Sequence, residues 1–179
     1  MNREQIAVLI DNSYSEFISF VSSSDKDMWL FAPNHKWTTG QHTLHLLEST
    51  KPLNFALSLP GFLLKWKYGT SNRTSRSYEE VVERYQERLA DNQGAVFKAS
   101  QNMEVPVFNE KSYLLNRLQV EYKKLQYKTL HIPEVSLDTY VLPHPLMGKM
   151  PVRELIMWSA YHANHHLKTV EAYMEMTAR

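Results

Sequence analysis

The chain has no cysteine among its 179 residues. That absence excludes a disulfide scaffold, thiolate metal sites, iron–sulfur clusters and a cysteine nucleophile borne by the protein. Glycine is scarce, with 5 residues. Antiparallel all-β folds consume glycine and asparagine in tight turns, so a helical fold is favoured. Neither charge is in excess: Lys+Arg 20 against Asp+Glu 19 leaves a formal net charge of +1, which argues against a nucleic-acid-binding or anionic-membrane protein. Long apolar runs are missing too. The most apolar stretch, Leu53 to Leu64, is broken by Pro60 and Gly61 and is too short for a bilayer. No apolar segment with a small-residue cleavage site follows Met1-Asn2-Arg3-Glu4-Gln5, so no secretory signal is visible and the expected location is cytoplasmic.

What is present is a chain with 43% hydrophobic residues, enough for a sizeable core, at a length that fits one domain over residues 1–179. The prolines, at 33, 52, 60, 106, 133, 143, 145 and 151, leave long gaps that are natural helix slots. Ile6, Leu9, Ile10, Ser13, Phe17, Phe20 and Val21 recur at spacings of three and four and predict an amphipathic helix ending at Asp25-Lys26-Asp27. Thr38 with Gln41, and Ser77 with Glu80, have the form of capping boxes. The first predicts a helix limited or kinked by Pro52. The second predicts a helix through Tyr78, Val81, Val82, Tyr85 and Leu89 that fades at Asn92-Gln93-Gly94. Ser112 opens another slot with Leu115, Leu118, Tyr122 and Leu125. Residues 60–77 and 130–150 are expected to be irregular, because they gather Gly, Pro, Ser, Thr and Asn. From Pro151, a suitable first-turn proline, to Arg179 there is neither Pro nor Gly, which predicts a long last helix.

Eight histidines are many for this length, and they cluster: Gln41-His42-Thr43-Leu44-His45, and Tyr161-His162-Ala163-Asn164-His165-His166. His162 and His166 are four apart on the last helix, which stacks both rings on one face. The stripe Leu155, Ser159, Ala163, Val170 and Tyr173 places His166 inside the core face and His162 at its edge, with His165 outside. A shared metal ion and ordinary core hydrogen bonds are both open as ways to satisfy these rings. The metalloprotease motif is excluded, because Ala163 stands where that motif has its glutamate. His42 and His45 share a polar stripe with Thr38, Gln41 and Ser49, either a solvated face or the lining of a pocket between helices. Lys65, Lys67, Arg73 and Arg76, with Trp66 and Tyr68 between them, form a short basic aromatic run that reads as solvated loop charges rather than a nucleic-acid patch.

Trp37-Thr38, His45 eight residues after the Trp, Pro143-His144-Pro145-Leu146-Met147-Gly148-Lys149, Arg153-Glu154-Leu155 and the late His162/His166 pair together resemble the DinB superfamily of metal-binding four-helix bundles. The specific motifs cover residues 37–48 and 143–170. The resemblance implies an all-α, antiparallel DinB-like four-helix bundle with a long crossover and an extra helical insertion between Gly61 and Ser112. It implies a three-His site of His45, His162 and His166, with His42 the rival for the first ligand because His45 has the family's spacing from the Trp. A divalent transition metal, zinc or nickel, suits imidazole ligands. The resemblance also implies a metal-dependent thiol S-transferase or hydrolase acting on a small electrophilic substrate, with a low-molecular-mass thiol as cosubstrate, in a homodimer without nucleic-acid or membrane partners. The other class is a non-catalytic, dimeric metal- or ligand-binding module. No catalytic residue is assigned. Glu48, Tyr161 and Asn164 lie near the implied ligands but read better as surface or packing residues. His35, His131, His144 and His165 need no special role.

Overall fold

The computed structural model describes residues 1–33, 36–92 and 102–177. The side chain of Asn2 accepts from Gln5 N–H while the Gln5 side chain accepts from Asn2 N–H, and this reciprocal cap starts α1 (Arg3–Ser22). Asp25 caps the short α2 (Lys26–Leu30), so the acidic run that ends one helix begins another. Thr38 and Gln41 form the expected capping box at the start of α3 (Thr39–Ala56). Gly40 in its first turn is a close approach: a Cβ there would lie 2.8 Å from Trp29 Cε2. Pro52 does not end α3. It has no N–H, so the Glu48 carbonyl one turn earlier loses its helical partner.

Residues 60–77 were expected to be irregular, yet Gly61–Tyr68 is a helix, α4, with Pro60 at its N-cap. The Ser77/Glu80 box starts α5 (Tyr78–Asp91). Its expected end at Asn92 is observed, while Gln93 and Gly94 lie outside the described residues. A 3₁₀ turn, Phe108–Glu110, leads into α6 (Lys111–His131). The span 130–150 is also more regular than its composition indicates. Pro133 stands at the N-cap of α7 (Glu134–Thr139), and β1 (Val141–His144) pairs antiparallel with β2 (Gly148–Pro151). The hairpin turns through Pro145, Leu146 and Met147, and Gly148, at φ 74°, supplies the left-handed residue that closes it. Pro151 ends β2 rather than opening the last helix, α8 (Val152–Thr177).

Among the described residues the fold is thus mostly helical, with eight α-helices and one two-stranded sheet. The four long helices close a ring of contacts: α1 packs on α6 and α8, and α3 packs on the same two. Partners of α1 and α6 run in reverse order, with Gln126 on Ala7 (3.2 Å), Lys123 on Asp11 (2.5 Å) and Lys111 on Ser22 (2.8 Å), so this pair is antiparallel. The α3 and α8 partners also run in reverse, at 42/166 and 45/162. α1 and α8 share a direction: Arg153 donates to Met1 O and Tyr14 bonds Ser159. It follows that α3 and α6 run the same way, as the long connection between them permits. The Tyr14 hydroxyl, fully buried, lies 3.0 Å from Thr50 and 2.8 Å from Ser159, and so joins three core helices. No helix of the described residues is long and apolar enough to cross a membrane.

Candidate metal centre

The Thr38 cap fixes where α3 begins and hence which way His42 and His45 point, three residues apart on one face. α8 brings His162 and His166 four apart onto the face that meets α3. The polar stripe of α3 is therefore an interhelical lining and not a solvated surface. His42, His162 and His166 are 6%, 3% and 6% exposed, and His45 is half-buried. His45 Nε2 lies 3.1 Å from His162 Nε2, which lies 2.9 Å from His166 Nε2. One nitrogen from each of His45, His162 and His166 falls within 4.8 Å of the others. Nitrogens sharing one zinc ion stand roughly 3–3.4 Å apart, as follows from bonds of about 2.0–2.1 Å, so two of these separations are close to what a common ion needs.

His42 takes a different position from the one its rivalry with His45 implied. Its Nδ1 lies 2.8 Å from His166 Nδ1, on the far edge of that ring from the converging Nε2 atoms, and its Nε2 lies 3.4 Å from the Tyr173 hydroxyl. If the three Nε2 lone pairs meet a cation, His166 must carry its proton on Nδ1 and donate it to His42 Nδ1. His42 is then the Nε2–H tautomer, aimed at Tyr173. Such an outer partner orients a ligand ring and raises its basicity. The Nδ1 of His162 is buried without a partner, whether or not a cation is present. The convergence of three lone pairs, rather than this orphan, fits the residues to a metal. Trp37 closes over the group, with its ring 4.8 Å from His45, 5.5 Å from His42 and 6.2 Å from His166.

Burial is the main force on these rings. It pushes His42 down to about 3 and His45 to about 4, helped by neighbouring histidines, from an ordinary value of 6.5. His162 and His166 are held well below that value, again by burial first and then by the rings around them. All four are neutral at neutral pH and have lone pairs to offer. Three neutral imidazoles suit zinc or nickel better than magnesium or calcium.

Beside the cluster lies a cavity of about 360 Å³ whose wall includes His45 and His162. Leu53, Leu142, Leu146 and Leu155 make it largely apolar, and Pro52 stands on the same wall. Of the three polar residues near the expected ligands, Glu48 lines this cavity and also pairs with Lys51. Tyr161 instead accepts a hydrogen bond from Gln86 (2.9 Å), and neither Tyr161 nor Asn164 is part of the wall. His144, which the sequence gives no special role, is placed by the hairpin on the cavity wall at 8% exposure. Its flanking prolines and the following Gly148 were the available signal. His131 stacks on Tyr127 at the surface, His165 is half-buried, and His35 lies outside the described residues.

The basic run does not form one patch. Arg73 grips the fully buried Glu154 through both guanidinium nitrogens, and Arg76 adds its backbone N–H (2.7 Å) and its guanidinium (3.2 Å). These two arginines are tethers of the 73–76 segment to α8, not the solvated loop charges expected. No family model, curated protein or solved structure matches this chain.

Proposed function

We propose that this protein is a DinB-like, metal-dependent enzyme in which His45, His162 and His166 hold one divalent transition metal, zinc or nickel. The observation that carries this reading is the approach of three neutral imidazole nitrogens from α3 and α8 at the wall of an apolar cavity. The direction of the four long helices and the long connection before α6 also support the DinB-type bundle. A divalent ion on three neutral ligands keeps its full charge and an open position, and supplies Lewis acidity, an acidified water or a thiolate-binding point. The rest belongs to this chain. Trp37 shields the ligands from water, His42 fixes the His166 tautomer, and the leucine-rich wall selects a small apolar substrate. Glu48 is the carboxylate of the cavity wall. The reaction class is thiol S-transfer or hydrolysis of a small electrophile. With no cysteine in the chain, a reacting thiol has to arrive as a low-molecular-mass cosubstrate. The same resemblance carries a homodimer, for which light scattering should give twice the chain mass.

Elemental analysis after metal exposure should find about one zinc or nickel per chain, and His166→Ala should lose most of it. A metal-free wild type, or a variant that keeps its metal, refutes the site. Turnover of a panel of thiols and electrophiles that vanishes in His162→Ala supports the enzyme. Full metal occupancy with no turnover favours the binding module.

A further inference from the structure

The cavity holds one more imidazole, which the metal centre does not use. His144 ends β1, and the hairpin turn folds the backbone N–H groups of Leu146 (3.1 Å) and Met147 (3.0 Å) onto its Nδ1. Backbone N–H groups only donate, so Nδ1 must present its lone pair. A neutral imidazole with its lone pair at Nδ1 carries its proton at Nε2. Burial lowers the His144 pKa to about 4, which keeps the ring neutral at neutral pH. Among the described residues none accepts from Nε2, and Nε2 is not among the side-chain atoms buried without a partner. What remains for its N–H is the cavity that the ring lines. The ring stands edge-on to Trp158 at 4.2 Å, and Trp158 stacks on His162 at 4.5 Å, so a single indole separates this donor from a proposed ligand.

The composition of the wall narrows what the donor meets. No Lys or Arg lines the cavity, and Glu48 does. The proposed ion lies across Trp158 from His144, so an anionic group held by His144 would find no cationic side chain on the wall and would share the cavity with Glu48. A neutral acceptor oxygen matches a neutral donor in an apolar site. We propose that His144 is a positioning residue whose Nε2–H holds the acceptor oxygen of an uncharged, mainly apolar substrate, such as a ketone, ester or ether, with its hydrocarbon body against Leu53, Leu142, Leu146 and Leu155. The proposal rests on the cavity being the substrate site of the metal centre.

The probes are acetophenone and α-methylstyrene, which have nearly the same shape and differ in that the first has an acceptor oxygen. In protein labelled with ¹⁵N-histidine, with and without added zinc, two-bond ¹H–¹⁵N spectra should show His144 as the Nε2–H tautomer. Acetophenone should shift its Nε2 signal and bind about three- to tenfold more tightly than α-methylstyrene, the range of one net hydrogen bond. His144→Asn keeps an acceptor for the turn but stops short of the cavity, so it should lose that preference with unchanged metal content. An Nδ1–H tautomer, equal affinities, no binding of either probe, or a preference that survives in the variant overturns the proposal. The tautomer is read in the wild type, so the test does not depend on the variant folding. A wild type that binds no metal but keeps the tautomer and the preference refutes the metal centre and supports His144 as the donor.

Discussion

The His42 ring meets His166 on the side away from the converging Nε2 atoms. In the proposed metal centre, replacing it removes an orienting partner and not a ligand. His42→Ala should weaken metal binding about 10- to 100-fold, the usual cost of losing an outer partner, while His166→Ala should lose most of the metal; chelator competition separates the two. The spacing of the histidines in the sequence pairs His162 with His166, while His45, with His42 as its rival, joins them only through the resemblance to the DinB superfamily. Spacing could not decide whether the α3 stripe faced water or another helix, because the rings that bury it come from positions more than a hundred residues later. The prolines around His144 mark a turn, but the part its ring plays is hidden for a different reason. That part depends on two backbone N–H groups that point at it only once the hairpin has formed.

Secondary-structure elements were legible where a stripe and a cap agreed. Thr38 and Ser77 mark the starts of α3 and α5, and α1, α6 and α8 occupy the proline-free slots. The short elements were missed because proline reads as a breaker, whereas Pro60 and Pro133 sit at the N-caps of α4 and α7. Helices of 8 and 6 residues are also too short to display a stripe. Long-range ion pairs hold these pieces in place. Glu154, at the start of α8, anchors residues 73–76 through Arg73 and Arg76. Glu154→Ala should cost roughly 2–3 kcal/mol, less than for a fully buried pair because both arginines can turn toward water. Urea denaturation measures that loss, and proteolysis should cleave the 70–77 segment earlier in the variant.

At the scale of the whole molecule, His42 and His45 near the start of α3, His162, His165 and His166 around the middle of α8 and His144 on the hairpin all resist protonation. Unfolded histidine takes up a proton near 6.5, whereas folded His45 and His144 do so at about 4 and His42 at about 3. Between those values the unfolded chain binds more protons, so the metal-free protein loses stability as pH falls from 6.5 toward 4. By about pH 5 the loss is roughly 2 kcal/mol for each ring that stays neutral. Urea midpoints across that range should fall before the carboxylates begin to titrate. A midpoint that stays level down to about pH 5 would contradict the burial of these rings.

His45 and His162 are 117 positions apart in the chain. An ion shared between them is a reversible cross-link closing a loop of most of the protein, and unfolding must open it. The folded state alone offers all three nitrogens together. Once the ion is above its dissociation constant, stability then climbs by about 1.4 kcal/mol for every tenfold rise in free metal. With the proposed ion bound, the persistence of the fold would follow the supply of free metal in its surroundings.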